Sequence, residues 1–223
     1  MKNQVKNAIR HLVCKAYDAF ANNKTDVSVL SLPGDVWEFE NYVVNHNDSG
    51  TYFGKSYVLD MALFEYKDEV YQNNSMQLFN IANTHKNNTY LLSRCGIAYH
   101  HKYVHDSDVA KAKSNNIFAW FDFCGNPTTH NINLINTAKG KNVTYIFTFN
   151  TAWRQDKNVD PTVLQLGEYT NKAFAITAMF DKLAAELNLT KVWAFEYVSN
   201  HSPMISLCYS NDTNVINDKT LNV

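Results

Sequence analysis

Val192-Trp193-Ala194-Phe195-Glu196-Tyr197-Val198 and Met204-Ile205-Ser206-Leu207-Cys208-Tyr209 are two β-rich runs with only Ser199-Asn200-His201-Ser202-Pro203 between them. A parallel crossover needs about a dozen residues or more, so these runs are expected to pair as an antiparallel hairpin. Everything before them reads as strand followed by helix. A series of strand-helix units that closes on an antiparallel pair predicts an α/β fold: a doubly wound, mostly parallel seven-stranded sheet with an antiparallel C-terminal hairpin.

Working back from the hairpin, Asp160-Pro161 predicts a helix to about Leu187, because Asp can cap it and Pro fits its first turn. Asn142 to Asn150 alternates Val143, Tyr145, Phe147 and Phe149 against Thr and Ile and predicts a strand, preceded by a weak helix over 128–138. A strand from Phe118 ends near Asp122, a third strand covers Thr89 to Tyr99, and a short helix starts near Asp108. Ser56 to Glu65 is a strand followed by a helix over 67–86, and Val27 to Leu32 is a strand stopped by Pro33-Gly34 before a helix from Val36 to about Val44. Val5, Ile9, Leu12, Val13, Ala16, Tyr17 and Phe20 share one face of an amphipathic leading helix within 1–23, and Lys2, Lys6 and Arg10 fall on another. Without a Pro/Gly/Ser-rich linker, the expectation is one domain over 1–223, with 211–223 as a tail.

Lys and Arg number 20 against 21 Asp and Glu, so no overall field draws in a polyanion. The cysteines, Cys14, Cys95, Cys124 and Cys208, are widely spaced, which fits a reducing compartment. No apolar run is long enough to span a bilayer and the N-terminal stretch lacks a signal-peptide core, so a soluble, cytoplasmic protein with no membrane partner is expected. Asparagine is common and glycine scarce, a bias that suits an AT-rich genome and is given no functional weight.

Function is read outward from Phe118-Ala119-Trp120-Phe121-Asp122-Phe123-Cys124-Gly125-Asn126-Pro127. Open α/β sheets place their ligands where parallel strands end, so an acid at that edge is a candidate site residue; its plainer role is to cap the turn. Glu65 also follows a strand, where one carboxylate can accept from both hydroxyls of a ribose, although its charged neighbours Lys67, Asp68 and Glu69 equally suit a solvated face.

These places together resemble a class I S-adenosylmethionine-dependent methyltransferase. The resemblance runs from Val27 to Tyr209. It matches Leu30-Ser31-Leu32-Pro33-Gly34 to the family's first-strand loop, Glu65 to its ribose-binding acid, and Asp122 to Pro127 to the segment facing cofactor and substrate. It implies S-adenosylmethionine as cofactor, held by Pro33, Gly34, Glu65, Asp106 and Asp122. Asp122 is the implied catalytic residue, with Cys124, Asn126, Pro127, Arg154 and His201 on the substrate side and nucleic acid as first-choice acceptor. The Asp-aromatic-Cys-Gly turn is also similar to that of phage and other viral proteins. Two departures stand out: the first loop has Gly34 alone where the family has several glycines, and Asp122-Phe123-Cys124-Gly125 lacks the Pro-Pro of many base-amine methyltransferases.

His100, His101 and His105 beside Cys95 and Asp106 match no structural zinc spacing, and no metal is expected. Cys124 reads better as a small buried thiol than as a nucleophile. The alternative function is a catalytically inactive protein of the same fold that binds a nucleotide or a protein partner. A nicotinamide-dependent oxidoreductase ranks last, because Gly-x-Gly-x-x-Gly is absent between Leu32 and Phe39.

Overall fold

The computed structural model describes residues 4–24, 26–31, 39, 42–43, 56–64, 98–101, 115–123, 127, 134–152, 171–199 and 201–222. Among them, β1 (Asp26–Ser31), β2 (Ser56–Phe64), β3 (Ala98–His101), β4 (Asn116–Asp122), β5 (Asn142–Asn150), β6 (Thr190–Ser199) and β7 (Ser202–Ser210) form one sheet in the order β3-β2-β1-β4-β5-β7-β6. Pairing is parallel from β3 through β5, and β7 runs antiparallel to both β5 and β6. The described helices are α1 (Gln4–Ala21), α2 (Lys172–Glu186) and α3 (Thr213–Asn217), with 3₁₀ turns at Leu134–Ala138 and Lys219–Leu221.

β4 and β5 are apolar on both faces because both faces are covered. Successive side chains alternate, so Phe121, Phe123, Tyr145, Phe147 and Phe149 face α2, where they meet Ile176 and Phe180. Phe118, Trp120 and Ile146 face α1, where Ile9, Val13, Tyr17 and Phe20 return at helical spacing. Phe39 and Val43 join this second layer, and the Tyr42 hydroxyl donates to Asp18 of α1 at 2.6 Å. No described helix is long and apolar enough to cross a membrane.

Several sequence expectations change in detail. The pattern predicts one helix from Asp160 to Leu187, but Asn171 is extended at φ −120° and its side chain accepts from the Ala173 and Phe174 amides, so α2 begins at Lys172. A local cap thus breaks a run whose apolar spacing continues across it. Asn171→Ala is expected to cost about 1 kcal/mol, read by urea unfolding; an unchanged midpoint would remove the cap from the account.

The weak helix over 128–138 is a 3₁₀ turn in its described part, Leu134–Ala138. The third strand, expected to end at Tyr99, carries on to His101, so the backbones of His100 and His101 pair with β2; residues 89–97 lie outside the described residues, as does the helix over 67–86. Within the expected tail, residues 211–222 are described and pack on the domain. Asp212 caps α3, and Val215 and Leu221 are buried against the α1 layer. Lys24, just after α1, pairs with Asp212 at 2.7 Å, and Asn142 at the start of β5 donates to the same carboxylate at 2.9 Å.

Candidate ligand site at the carboxyl edge of the sheet

β1 is flanked by β2 on one side and β4 on the other, so the chain changes winding direction between β1 and β4. In a doubly wound sheet, the crevice outside the carboxyl ends of two such strands is where ligands bind. β1 ends there on Ser31 and β4 ends on Asp122.

Asp122 follows Phe118 and Trp120 onto the α1 face of the sheet, while Phe121 and Phe123 turn to the other core. Its carboxylate is 20% exposed, and Lys6 of α1 approaches Oδ2 to 3.6 Å with its own side chain 40% exposed. That separation exceeds hydrogen-bond range, so the contact is one of charge rather than of a directed bond.

The neighbouring strands bring further polar groups to the same face. Thr148 is the register partner of Asp122 on β5, and Ser31 is the register partner of Trp120 on β1. The Ser31 and Thr148 hydroxyls and the Trp120 indole N–H are all buried without a hydrogen-bond partner. Leaving one such group unmade costs about 1–3 kcal/mol, so clustered orphans mark a place for a polar occupant. Two hydroxyls that donate or accept, one donor-only indole and a carboxylate suit a ligand carrying both acceptors and a cationic donor.

The other flank of this edge is tied down. The Thr151 amide donates to the Pro203 carbonyl at 2.9 Å, and the buried Lys172 ammonium donates to the Ala152 carbonyl at 2.8 Å. The Ala152 amide donates to Asn150 Oδ1 at 2.7 Å. The end of β5, the β6–β7 turn and the start of α2 are therefore fixed to one another. His201 sits at that turn, exposed and left-handed at φ 64°, because Ser199 pairs with Ser202 and the connection tightens below the five-residue gap read from the sequence.

Of the site residues expected from sequence, the structure describes Asp122, His201 and Pro127, which is buried. Pro33, Gly34, Glu65, Asp106, Cys124, Asn126 and Arg154 lie outside the described residues. Among the described residues no group of His, Cys, Asp and Glu is arranged to hold a metal ion. Thr148 and Trp120 were not singled out from sequence as candidate site residues, and Ser31 entered only as part of the Leu30-Ser31-Leu32-Pro33-Gly34 stretch. The one available signal was polarity at inward-facing positions of otherwise apolar strands.

No family model matches this sequence, and no curated protein matches it. Among solved structures, a Listeria monocytogenes protein provisionally assigned as a class I S-adenosylmethionine-dependent methyltransferase superposes with a TM-score of 0.51 at 12% identity. The match covers 93% of this chain and 60% of the neighbour's length. The chain shares the Rossmann-like α/β fold of that protein. A 16S rRNA (adenine(1408)-N(1))-methyltransferase from Catenulisporales acidiphilia, solved with its cosubstrate, matches at a TM-score of 0.45 and 11% identity over 89% of this chain and 90% of its own.

Proposed function

We propose that this chain is an S-adenosylmethionine-dependent methyltransferase whose reaction centre lies at the carboxyl ends of β1 and β4. The observation that carries the reading is Asp122, a partly exposed carboxylate at the switch-point edge of this fold, set beside buried polar groups that lack partners. This donor set fits a ligand with an ammonium and a carboxylate at one end: Asp122 accepts from the cation, and Ser31, Thr148 and Trp120 offer donors to the anion.

In this reading Pro33, Gly34, Glu65 and Asp106 complete the cofactor contacts, with Glu65 accepting from the ribose hydroxyls. Cys124, Asn126, Pro127, Arg154 and His201 face the acceptor. Bound S-adenosylmethionine supplies an electrophilic methyl group on a sulfonium. The protein's part is chiefly alignment, because an in-line displacement gains most from close, oriented reactants. Asp122 holds an ammonium or orients a target amine by accepting its hydrogen. Nucleic acid is the proposed acceptor class: Lys6, beside Asp122, and Arg10, one turn further along α1, offer phosphate contacts.

Titration calorimetry with S-adenosylmethionine tests the reading. Wild-type protein is expected to bind in the micromolar range and Asp122→Ala to bind about 10-fold or more weakly, as for the loss of one hydrogen bond to a charged group. A folded wild-type protein that gives no heat would favour the second reading, a binding protein without transferase activity, to which the single glycine of the Leu30-Ser31-Leu32-Pro33-Gly34 loop also points.

A further inference from the structure

We infer that Lys6 is an internal occupant of the cation position on Asp122, which an incoming ammonium or sulfonium ligand must displace. The inference rests on the reading of Asp122 as a ligand-holding residue and adds to it a competitor carried on α1.

The pair is built to be displaced. Lys6 lies just under one turn ahead of the packed part of α1: burial on that helix starts at Ile9 and continues through Val13, Cys14, Ala16, Tyr17 and Phe20. Gln4, Val5, Asn7 and Ala8 are exposed, so the first turn and a half of the helix has no buried residue to hold it. Among the described residues, the Lys6–Asp122 approach at 3.6 Å, too long for a directed hydrogen bond, links this turn to the sheet. Exposed pairs of this kind contribute little, and the flexible four-carbon stem of lysine swings its charge away at small cost.

What lies around the carboxylate supports an exchange of partners over a permanent bridge. Thr148, opposite Asp122 on β5, and Trp120, two residues before it on the same face, keep buried polar groups without partners while Lys6 is in place. Lys6 therefore meets the charge of Asp122 but leaves the adjoining hydrogen bonds unmade. A ligand that brings acceptors along with its cation satisfies both, and Lys6, once released, stays beside the site as a free cation for an anionic acceptor.

Removing the competitor should tighten binding of a cationic ligand. Lys6→Met is expected to strengthen S-adenosylmethionine binding about two- to fivefold by calorimetry, the range set by the worth of an exposed pair. Lys191→Met, which makes the same net-charge change at the exposed Lys191–Asp181 pair on the α2 side, should leave affinity unchanged. Adenosine, a neutral probe, should bind wild type and Lys6→Met alike. Circular dichroism on each variant establishes that α1 is retained.

Equal or weaker S-adenosylmethionine binding by a folded Lys6→Met protein would overturn the inference while leaving the cofactor reading intact. The same gain in Lys191→Met, or a matching gain for adenosine, would reduce the effect to bulk charge and overturn it too. Failure of wild type and Lys6→Met alike to bind S-adenosylmethionine would remove the cofactor reading and this inference together.

Discussion

Phe180→Ala is expected to lower folding stability by about 3–5 kcal/mol, the usual loss for a fully buried phenylalanine. Phe180 is inaccessible to solvent, and its ring meets Phe147 at 4.9 Å, Phe149 at 5.5 Å and Tyr209 at 6.3 Å between centroids. These rings continue through Phe123 and Phe121, so the cavity opens in the middle of a stack contributed by β4, β5 and β7. Strand backbones fixed by sheet hydrogen bonds cannot collapse into that space, which favours the upper part of the range. For a chain of 223 residues, the loss corresponds to a fall in Tm of roughly 6–20 °C. Phe174→Ala, six residues earlier on the same helix at a residue 61% exposed, should change stability by less than about 0.5 kcal/mol. Equal urea midpoints for the two variants would overturn this account of the core.

Lys24→Met is expected to cost about 3–5 kcal/mol, because it strands the Asp212 carboxylate in a buried position. The two side chains are 12% and 7% exposed, and Asp212 also accepts from Asn142 and from the Asn214 and Val215 amides. Replacing both charges, as in Lys24→Met with Asp212→Leu, should recover part of the loss through apolar packing, though it gives up the α3 cap. The pair also sets an acid limit. Burial alone pushes the Asp212 carboxyl up, but the Lys24 bond and charge, Asn142 and the Val215 amide together outweigh it and hold the group below its ordinary value. The unfolded chain therefore takes up this proton more readily than the folded one. The stabilisation is complete above the ordinary aspartate value of about 3.9 and is lost as pH falls through the depressed folded value. Urea midpoints measured from pH 6 down to about 2 should fall more steeply for wild type than for the double variant; parallel curves would dissociate Asp212 from the acid limb.

Strand positions were readable because the signal is local. Asn142 to Asn150 matches β5 at both ends, and the Val192 to Tyr209 region could form nothing but a hairpin, since the chain between the runs was too short for a crossover. The breaks were harder to read. Asparagine looked like compositional bias, yet Asn171 caps α2, while Asn23 and Asn188 take the left-handed conformation just beyond α1 and α2, at φ 62° and 56°. The same residue type thus marks helix boundaries that spacing of apolar side chains does not show.

The candidate site could be read from the sequence at Asp122, since an acid that ends an apolar run needs an explanation at that level. Its companions could not. Ser31, Trp120 and Thr148 acquire meaning through register, as neighbours across strands far apart in the chain, and through the lack of a partner once buried. Lys6 read as part of a solvated basic face, and its approach to Asp122 exists only because α1 lies across the carboxyl half of β4.

The placement of β7 sets a timetable for synthesis on the ribosome. β5 sits between β4, translated before it, and β7, translated after it, and the Lys24–Asp212 clamp joins positions near opposite ends of the described chain. Until residues 202–210 have left the exit tunnel, one edge of β5 is unpaired, and until residue 221 has followed, the α1 layer lacks some or all of Cys208, Val215 and Leu221. The nascent chain must spend that interval with a bare, aromatic-rich strand edge, the period in which a holdase chaperone would have most to protect.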